Sequence, residues 1–364
     1  MARKPVWVGL DVGADQMTAC AIGSEGEVVF EQPLATSARE LHRLIKPLGR
    51  RIVAIALESG SFGIHLARSL RRLGYPVTMF DCRQASKFLA VRQNKTDKND
   101  ARGIAELARI RGESVSEVRV KSLECQRLRS ALATRQKLLR LRIALEGTIR
   151  SLFRLNGGHL KSSWSAAVLH KNVRSELARL RKAEKVDLSD DVLPLLALCE
   201  AMRSYLKTLD ERLELTAKEH PICQRFMEIP GVGPICALSF YSAIEEPTRF
   251  GRSSDVGAYL GLVPKVRQSG QSTVRLRISK MGSSMTRGHL GTAALQHLRY
   301  AKSDLQAWGE SLAERIGKQR ARTAVSRKLA VTMLAMWKSG ESYQSSRGEL
   351  SKLDGQAATT TPLA

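Results

Sequence analysis

The stretch "VWVGLDVGADQMTACAIGSEGEVVFEQPL", Val6 to Leu34, decides the fold of the first third of the chain. Three short apolar runs, "VWVGLDVG", "MTACAIG" and "EVVFEQPL", are parted by polar turns such as "SEGE". Runs of this length between turn residues read as strands, and short connections join antiparallel neighbours. A helix, "ARELHRLIKPLG", comes next. "RIVAIALES" (51–59) is a nearly continuous apolar run, the pattern of a strand buried on both faces. "FGIHLARSLRRLG" then reads as a helix, "YPVTMFD" as a strand and "RQASKFLAVRQ" as a helix.

Three antiparallel strands followed by strands alternating with helices suit an RNase H-like mixed sheet. From about Ser116 to His220 the pattern turns helical. Leu138, Leu141, Leu145, Ile149 and Leu152 recur at steps of three and four, with Lys and Arg between them. That stripe suits a core face and a coiled-coil seam equally well. "RLNGGHLKSS" and "KVDLSDDVLP" interrupt it. A further unit begins near Pro221, with long helices to about Trp337, and a Ser-, Gly- and Thr-rich tail follows Ser339. The expected organisation is an α/β domain over 1–115, a helical linker and oligomerisation region over 116–220, a mainly helical domain over 221–343 and a disordered tail over 344–364.

Lys and Arg number 59 against 35 Asp and Glu, a formal charge of +24. Such an excess repels itself and attracts polyanions, and nucleic acid is favoured over an anionic membrane because phosphates release condensed counterions when neutralised. No apolar run reaches the length of about 18 residues that spans a bilayer, and the basic start lacks the apolar core of a signal peptide. Six scattered cysteines without a C-x-x-C pair argue against a disulfide framework and a zinc site, and fit a reducing cytoplasm.

Four acids stand out. Asp11 lies on a strand read as buried on both sides, where a carboxylate is costly unless it is paired or binds metal. Glu58 closes a strand at the sheet edge where α/β proteins bind ligands. Asp97 and Asp100 flank the start of the helix "NDARGIAELARI", three apart and so on one face. Hard divalent cations, Mg2+ or Mn2+, take oxygen ligands, and two of them can clamp both oxygens of a phosphoryl displacement. Singly, Asp97 also reads as an N-cap, Asp100 as a helix-dipole partner and Glu58 as an arginine's partner. Arg92, Lys95, Lys98 and Arg102 would hold phosphates and keep both aspartates ionised.

A second cluster lies further on. "IPGVGP" before "ICALSF" resembles a helix-hairpin-helix turn, in which Gly231 and Gly233 free backbone N–H groups for a phosphate without reading sequence. An ordinary Gly-Pro connector has the same pattern. "PKVRQSGQSTVRLRISKMG" reads as a polar cationic loop in which Ser269, beside Arg267, Arg275, Arg277 and Lys280, could attack phosphorus. Most loop serines have no such role, and Ser272 competes with it.

"GLDVG", "ALESGSFG", "NKTDKNDARGIAELA", "IPGVGPICAL", "FGRSSDVGAYLGLVP", "SGQSTVRLRISKMG" and "ARTAVSRKLAVTMLAMW" stand in the order found in DEDD transposases of the insertion sequence 110 family, which this chain resembles to about residue 343. The resemblance implies a RuvC-like N-terminal domain whose D-E-D-D tetrad is Asp11, Glu58, Asp97 and Asp100. It implies a coiled-coil segment, then a C-terminal transposase domain in which Ser269 forms a phosphoserine link to DNA. It further implies double-stranded donor and target DNA, a structured bridge RNA that guides target choice, and a homo-oligomer (dimer, then tetramer) in which tetrad and serine meet from different protomers. Such an enzyme would work at the nucleoid in a bacterial cytoplasm. Where family members often carry "SSGGK", this chain has "QSGQS", with Gln268 before Ser269 and Gln271 for the second glycine. A junction resolvase using the tetrad alone is the alternative. An actin-like sugar kinase would need a second phosphate loop and an adenosine-binding Gly-Gly pair, neither of which the sequence shows convincingly, and a charge of +24 is wrong for it; a purely binding protein leaves the tetrad unexplained.

Overall fold

A computed structural model describes residues 4–90, 96–110, 117–160, 166–269 and 272–344. The chain divides into two compact units, Met1–Lys121 and Ser122–Ala364.

In the first unit the strands β1 (Val6–Val12), β2 (Gln16–Ile22), β3 (Val28–Ala35), β4 (Ile52–Glu58) and β5 (Val77–Phe80) form one sheet in the order β3-β2-β1-β4-β5. β2 runs antiparallel to both its neighbours, and β1, β4 and β5 are parallel. Helices α1 (Ala38–Ile45), α2 (Ser61–Arg72), α3 (Cys82–Leu89) and α4 (Asp97–Ile110) complete the unit. The strands anticipated from the apolar runs are all present.

The two faces of this sheet bury different side chains. Val6, Val8, Leu10, Met17, Ile55, Leu57 and Met79 pack with Leu41 and Ile45 of α1 and Leu66, Ala67 and Leu70 of α2. On the other face, Ala56 and Phe80 pack with Ala85 of α3 and Ile104, Leu107 and Ala108 of α4, while Cys20 and Ile22 pack with Ala101 and Ala105 of α4. Gly9 makes this second layer possible. A Cβ there would overlap the Ala101 carbonyl and the Ala105 amide, so α4 rests directly on the backbone of β1. At the far end Arg109 reaches the Ser24 carbonyl at 3.0 Å, which fixes the direction of α4: its first turn lies toward the C-terminal end of β1.

The second unit is helical: α5 (Leu123–Leu155), α6 (Ala166–Ala183), α7 (Ser189–Glu219), α8 (Pro221–Met227), α9 (Pro234–Ile244), α10 (Asp255–Tyr259), α11 (Ser284–Tyr300), α12 (Asp304–Ile316) and α13 (Lys318–Ser339). Its apolar contacts fall into two clusters. One joins Leu132 of α5 and Leu213 and Ala217 of α7 to α8, α9, α11 and α13. The other gathers Ile149 and Phe153 with Leu169, Val173 and Leu180 of α6 and Val192 and Leu196 of α7. Between them α5 and α7 are tied by polar groups: Glu146, 7% exposed, meets Arg203 of α7 at 2.7 Å and Arg142 and Arg150 of its own helix at 3.7 and 3.9 Å. The leucine stripe is unevenly covered. Ile149 is buried, Leu138, Leu145 and Leu152 are half-buried, and Leu141 is exposed.

The segment read as a cationic loop is a hairpin of β6 (Pro264–Ser269) and β7 (Ser272–Ile278). Strand alternation is present in "STVRLRI", with Val274, Leu276 and Ile278 between arginines, but the high charge masks it. The expected tail lies outside the described residues. No helix among those described is long and apolar enough to cross a membrane.

Candidate active site at the C-terminal end of the sheet

Register brings two of the four acids together. β1 and β4 pair Gly9 with Ala56 and Leu10 with Leu57. One step further along stand Asp11 and Glu58, side by side on adjacent parallel strands. Side chains alternate along a strand, so Asp11 shares the face of Gly9, and Glu58 that of Ala56. This is the face that α4 covers. Both acids are half-buried, and Asp11 pairs across the other flank with Thr18 of β2.

Asp97 and Asp100 open α4, whose first turn points toward that same end of the sheet. Asp97 is exposed and Asp100 half-buried. The N-cap reading of Asp97 does not hold. Thr96 takes that place, its Oγ1 accepting the Asn99 N–H at 3.2 Å and its carbonyl accepting the Asp100 N–H at 2.9 Å. Asp97 is therefore the first helical residue and its carboxylate is not used as the cap. Asp81, at the end of β5, shows what a structural acid looks like here. It caps α3, accepting from the Arg83 and Gln84 N–H groups, and pairs with Arg83 at 3.2 Å. Burial raises its pKa, and its bonds with Arg83 outweigh that and hold it below the ordinary carboxylate value.

All four candidate ligands offer carboxylate oxygen, the donor that magnesium and manganese prefer. They arrive at one end and one face of the sheet from three elements, so the donor set fits a hard divalent cation in kind. Among the described residues no three His, Cys, Asp or Glu side chains are gathered closely enough to hold a metal ion.

The cations proposed around the acids divide. Lys98 and Arg102 are exposed on α4, while Arg92 and Lys95 lie outside the described residues. In the second unit Ser269 ends β6 and pairs with Ser272 at the start of β7, and Gly270 and Gln271 lie outside the described residues. Arg267 and Arg275 are on the two strands, where Val266 pairs with Arg275, and Arg277 is exposed further along β7. Lys280 follows at φ 56° and is exposed. The base of the hairpin is tightly held. A Cβ on Gly261 would overlap the backbone of Met281, and one on Gly282 that of Tyr259. Arg287 donates to the carbonyls of Leu260 at 3.0 Å, Gly282 at 3.3 Å and Met281.

The "IPGVGP" turn joins α8 to α9. Gly231, at φ 90°, presses against α11: a Cβ would stand 2.7 Å from the Ala293 carbonyl oxygen and the His297 nitrogen. Gly233 is the N-cap of α9, exposed, with open space around it. His297 ties the turn down. Its Nδ1 bonds the Pro230 carbonyl at 2.6 Å and its Nε2 the Ser303 hydroxyl at 2.9 Å. Sequence reading missed His297, Arg287, Thr96 and the gap at Gly9. Only the small-residue run "GLDVG" hinted at the last.

Two family models match the chain. A "Transposase" model covers residues 8–155, and a model described as "Transposase IS116/IS110/IS902 family" covers residues 223–308. The chain is 29% identical over 344 residues to a transposase for insertion sequence element IS1111A of Coxiella burnetii, spanning 93% of this chain and 91% of the relative. It is 26% identical over 283 residues to a transposase for insertion sequence element IS1328 of Yersinia enterocolitica, covering 76% of this chain and 81% of the relative.

Proposed function

Because the chain belongs to the IS116/IS110/IS902 family of transposases, and is therefore a DNA-processing enzyme, we propose that it cuts and rejoins DNA strands at the acidic end of its sheet, with Ser269 as covalent nucleophile. The placement of Asp11 beside Glu58, under the first turn of α4, carries this reading. Asp11, Glu58, Asp97 and Asp100 would hold Mg2+ or Mn2+. Bound there, the cation supplies charge stabilisation at a phosphate oxygen. The strand order, with only β2 antiparallel, supports an RNase H-like, RuvC-like domain.

Lys98 and Arg102, exposed on α4, draw the DNA backbone toward the acids. Gly233, with Gly231, presents backbone to a phosphate at the start of α9, and Arg267, Arg275, Arg277 and Lys280, on or next to the strands that carry Ser269, would bind phosphates of the reacting strand. The Ser269 oxygen attacks phosphorus, forming a serine phosphoester and releasing the deoxyribose oxygen, which takes up a proton as the serine loses one. One ester replaces another, so the free energy of the broken linkage is kept for rejoining. A structured guide RNA that pairs with target and donor DNA would supply sequence choice. The +24 charge, which attracts polyanions in general, is compatible with that partner. The protein would act as a homo-oligomer that completes each site from two protomers.

The test uses Asp11→Asn and Ser269→Ala in the full chain with magnesium and the DNA that flanks its gene. Asp11→Asn should abolish cleavage and keep DNA binding. Ser269→Ala should remove the detergent-resistant protein–DNA adduct. An adduct that survives in Ser269→Ala moves the nucleophile elsewhere, and cleavage without any adduct favours a resolvase.

A further inference from the structure

Phe62 is 50% exposed. Among the described residues of the first unit it is the only Phe, Tyr or Trp exposed to this degree; Trp7, Phe30, Tyr75 and Phe88 are half-buried and Phe80 is buried. Isolated apolar residues are common on protein surfaces, so exposure alone decides nothing. Its position does. Phe62 follows Glu58 by four residues, in the first turn of α2, at the end of the sheet where the acids stand.

The connection that carries it is rigid. The Ser59 N–H donates to the Phe80 carbonyl at 2.9 Å, and the Ser59 hydroxyl accepts the Cys82 N–H at 3.3 Å. The Gly60 N–H donates to the Glu58 carbonyl at 2.8 Å. Gly63 brings α2 in so closely that a Cβ there would stand 2.7 Å from the Glu58 carbonyl oxygen. Phe62 is thus held at a fixed offset from Glu58, with half of the residue's surface open to water. The buried face of α2, made by Gly63, Leu66, Ala67 and Leu70, does not include it.

We propose that Phe62 is a stacking platform for an unpaired nucleobase of the DNA strand lying at the acids. This rests on the proposed role of Asp11 and Glu58. Aromatic faces hold single-stranded bases without reading their identity, because every base has a π-face. Strand exchange requires unpaired nucleotides next to the cut. A planar apolar ring beside acids that manage phosphate oxygens would hold the base of the nucleotide whose phosphate reacts, and so position it. Phe62 is a positioning residue in this role and takes no part in bond making.

The test is a forked DNA duplex with 2-aminopurine in its unpaired arm, titrated with the full chain in magnesium buffer. Stacking on Phe62 should quench the fluorophore. Phe62→Trp should quench as well, whereas Phe62→Leu and Phe62→Ala should leave it bright and weaken binding of the fork about tenfold. A fully paired duplex of equal length should bind equally to all four proteins. Quenching by Phe62→Ala or Phe62→Leu as strong as that of the unsubstituted chain would overturn the proposal. So would equal weakening toward forked and paired DNA, the mark of a merely structural role. Asp11→Asn separates the two readings. If it cleaves normally while Phe62→Ala loses quenching, the acid site fails and the base-stacking site stands. If it is inactive while Phe62→Ala quenches normally, only the stacking assignment fails.

Discussion

The backbone of Ala105 occupies the space that a side chain at Gly9 would need: a Cβ on Gly9 would lie 2.8 Å from the Ala105 Cα. Gly9→Ala should therefore lift α4 from the sheet. Overpacking of this kind costs about 1–3 kcal/mol, which a thermal melt would register. The larger effect should be on cleavage, because Asp97 and Asp100 ride on the displaced helix. A variant that melts lower yet cleaves normally would remove the link between this contact and the acids.

Glu58→Gln keeps the shape of the side chain and removes its charge. Cleavage should fall by more than about 100-fold, the upper end for a residue that only supports a metal ligand. Binding of nonspecific DNA should be unchanged or slightly tighter, since a repelling charge is lost. Rate measurements across a magnesium titration and a filter-binding assay check both halves.

Glu146 is nearly buried among Arg142, Arg150 and Arg203. Glu146→Ala would leave those guanidinium groups facing one another between α5 and α7. Breaking a buried ion pair from one side costs about 3–5 kcal/mol. The expected result is a lower melting temperature, with faster amide exchange along the middle of both helices. Replacing Arg142, Arg203 and Glu146 together by apolar residues should restore much of the loss.

His289 gives stability a pH dependence. Burial, then the nearby Arg135 charge, lowers its pKa from 6.5 to about 4. Between those values the unfolded chain binds a proton that the folded chain does not, so stability is full above pH 6.5 and declines toward pH 4. The decline amounts to at most about 3 kcal/mol. His297, lowered mainly by burial, acts in the same direction. Denaturant titrations at pH 7 and pH 5 should show a smaller difference for His289→Gln than for the unsubstituted chain. An equal difference would assign the effect elsewhere.

Gly282 sits at φ 66° with the Tyr259 backbone against it. Gly282→Ala should strain the foot of the β6–β7 hairpin and misplace Ser269. Adduct formation should fall about tenfold or more, on the scale of small misplacements of reacting groups, while DNA binding changes little. Equal losses in binding and adduct formation would show that the hairpin acts in binding alone.

The sheet was legible because its central strands are short apolar runs bounded by turn residues, too short for buried helices. Asp11 and Glu58 stood out for the same reason, as charges within or at the end of apolar strands. Register, which makes them neighbours, depends on pairing between distant segments that periodicity does not encode. The alternative reading of Asp97 as a cap arises because Thr96 beside it has a comparable capping side chain, and local rules do not separate the two. Phe62 lies four residues before Leu66 and eight before Leu70, spacing that reads as core. It is nevertheless 50% exposed, and the buried face of α2 in its first turn is supplied by Gly63. The hairpin escaped notice because its apolar alternation is diluted by arginine. Burial of His289 and His297 depends on packing among α5, α8, α9 and α11, which no short window of sequence contains.

Glycine contacts and Arg287 clamp the hairpin at its foot, and Val266 and Leu276 along it are 62% and 48% exposed. Neither Val266 nor Leu276 joins the hydrophobic core of the second unit. Substitutions at these two positions therefore carry little penalty in folding. What holds Ser269 and the arginines of this hairpin in place is the chemistry proposed for them and not the stability of the fold. Exposed apolar positions such as Val266 and Leu276 are where relatives can differ without a cost to folding, while a serine at position 269 should persist in every active one.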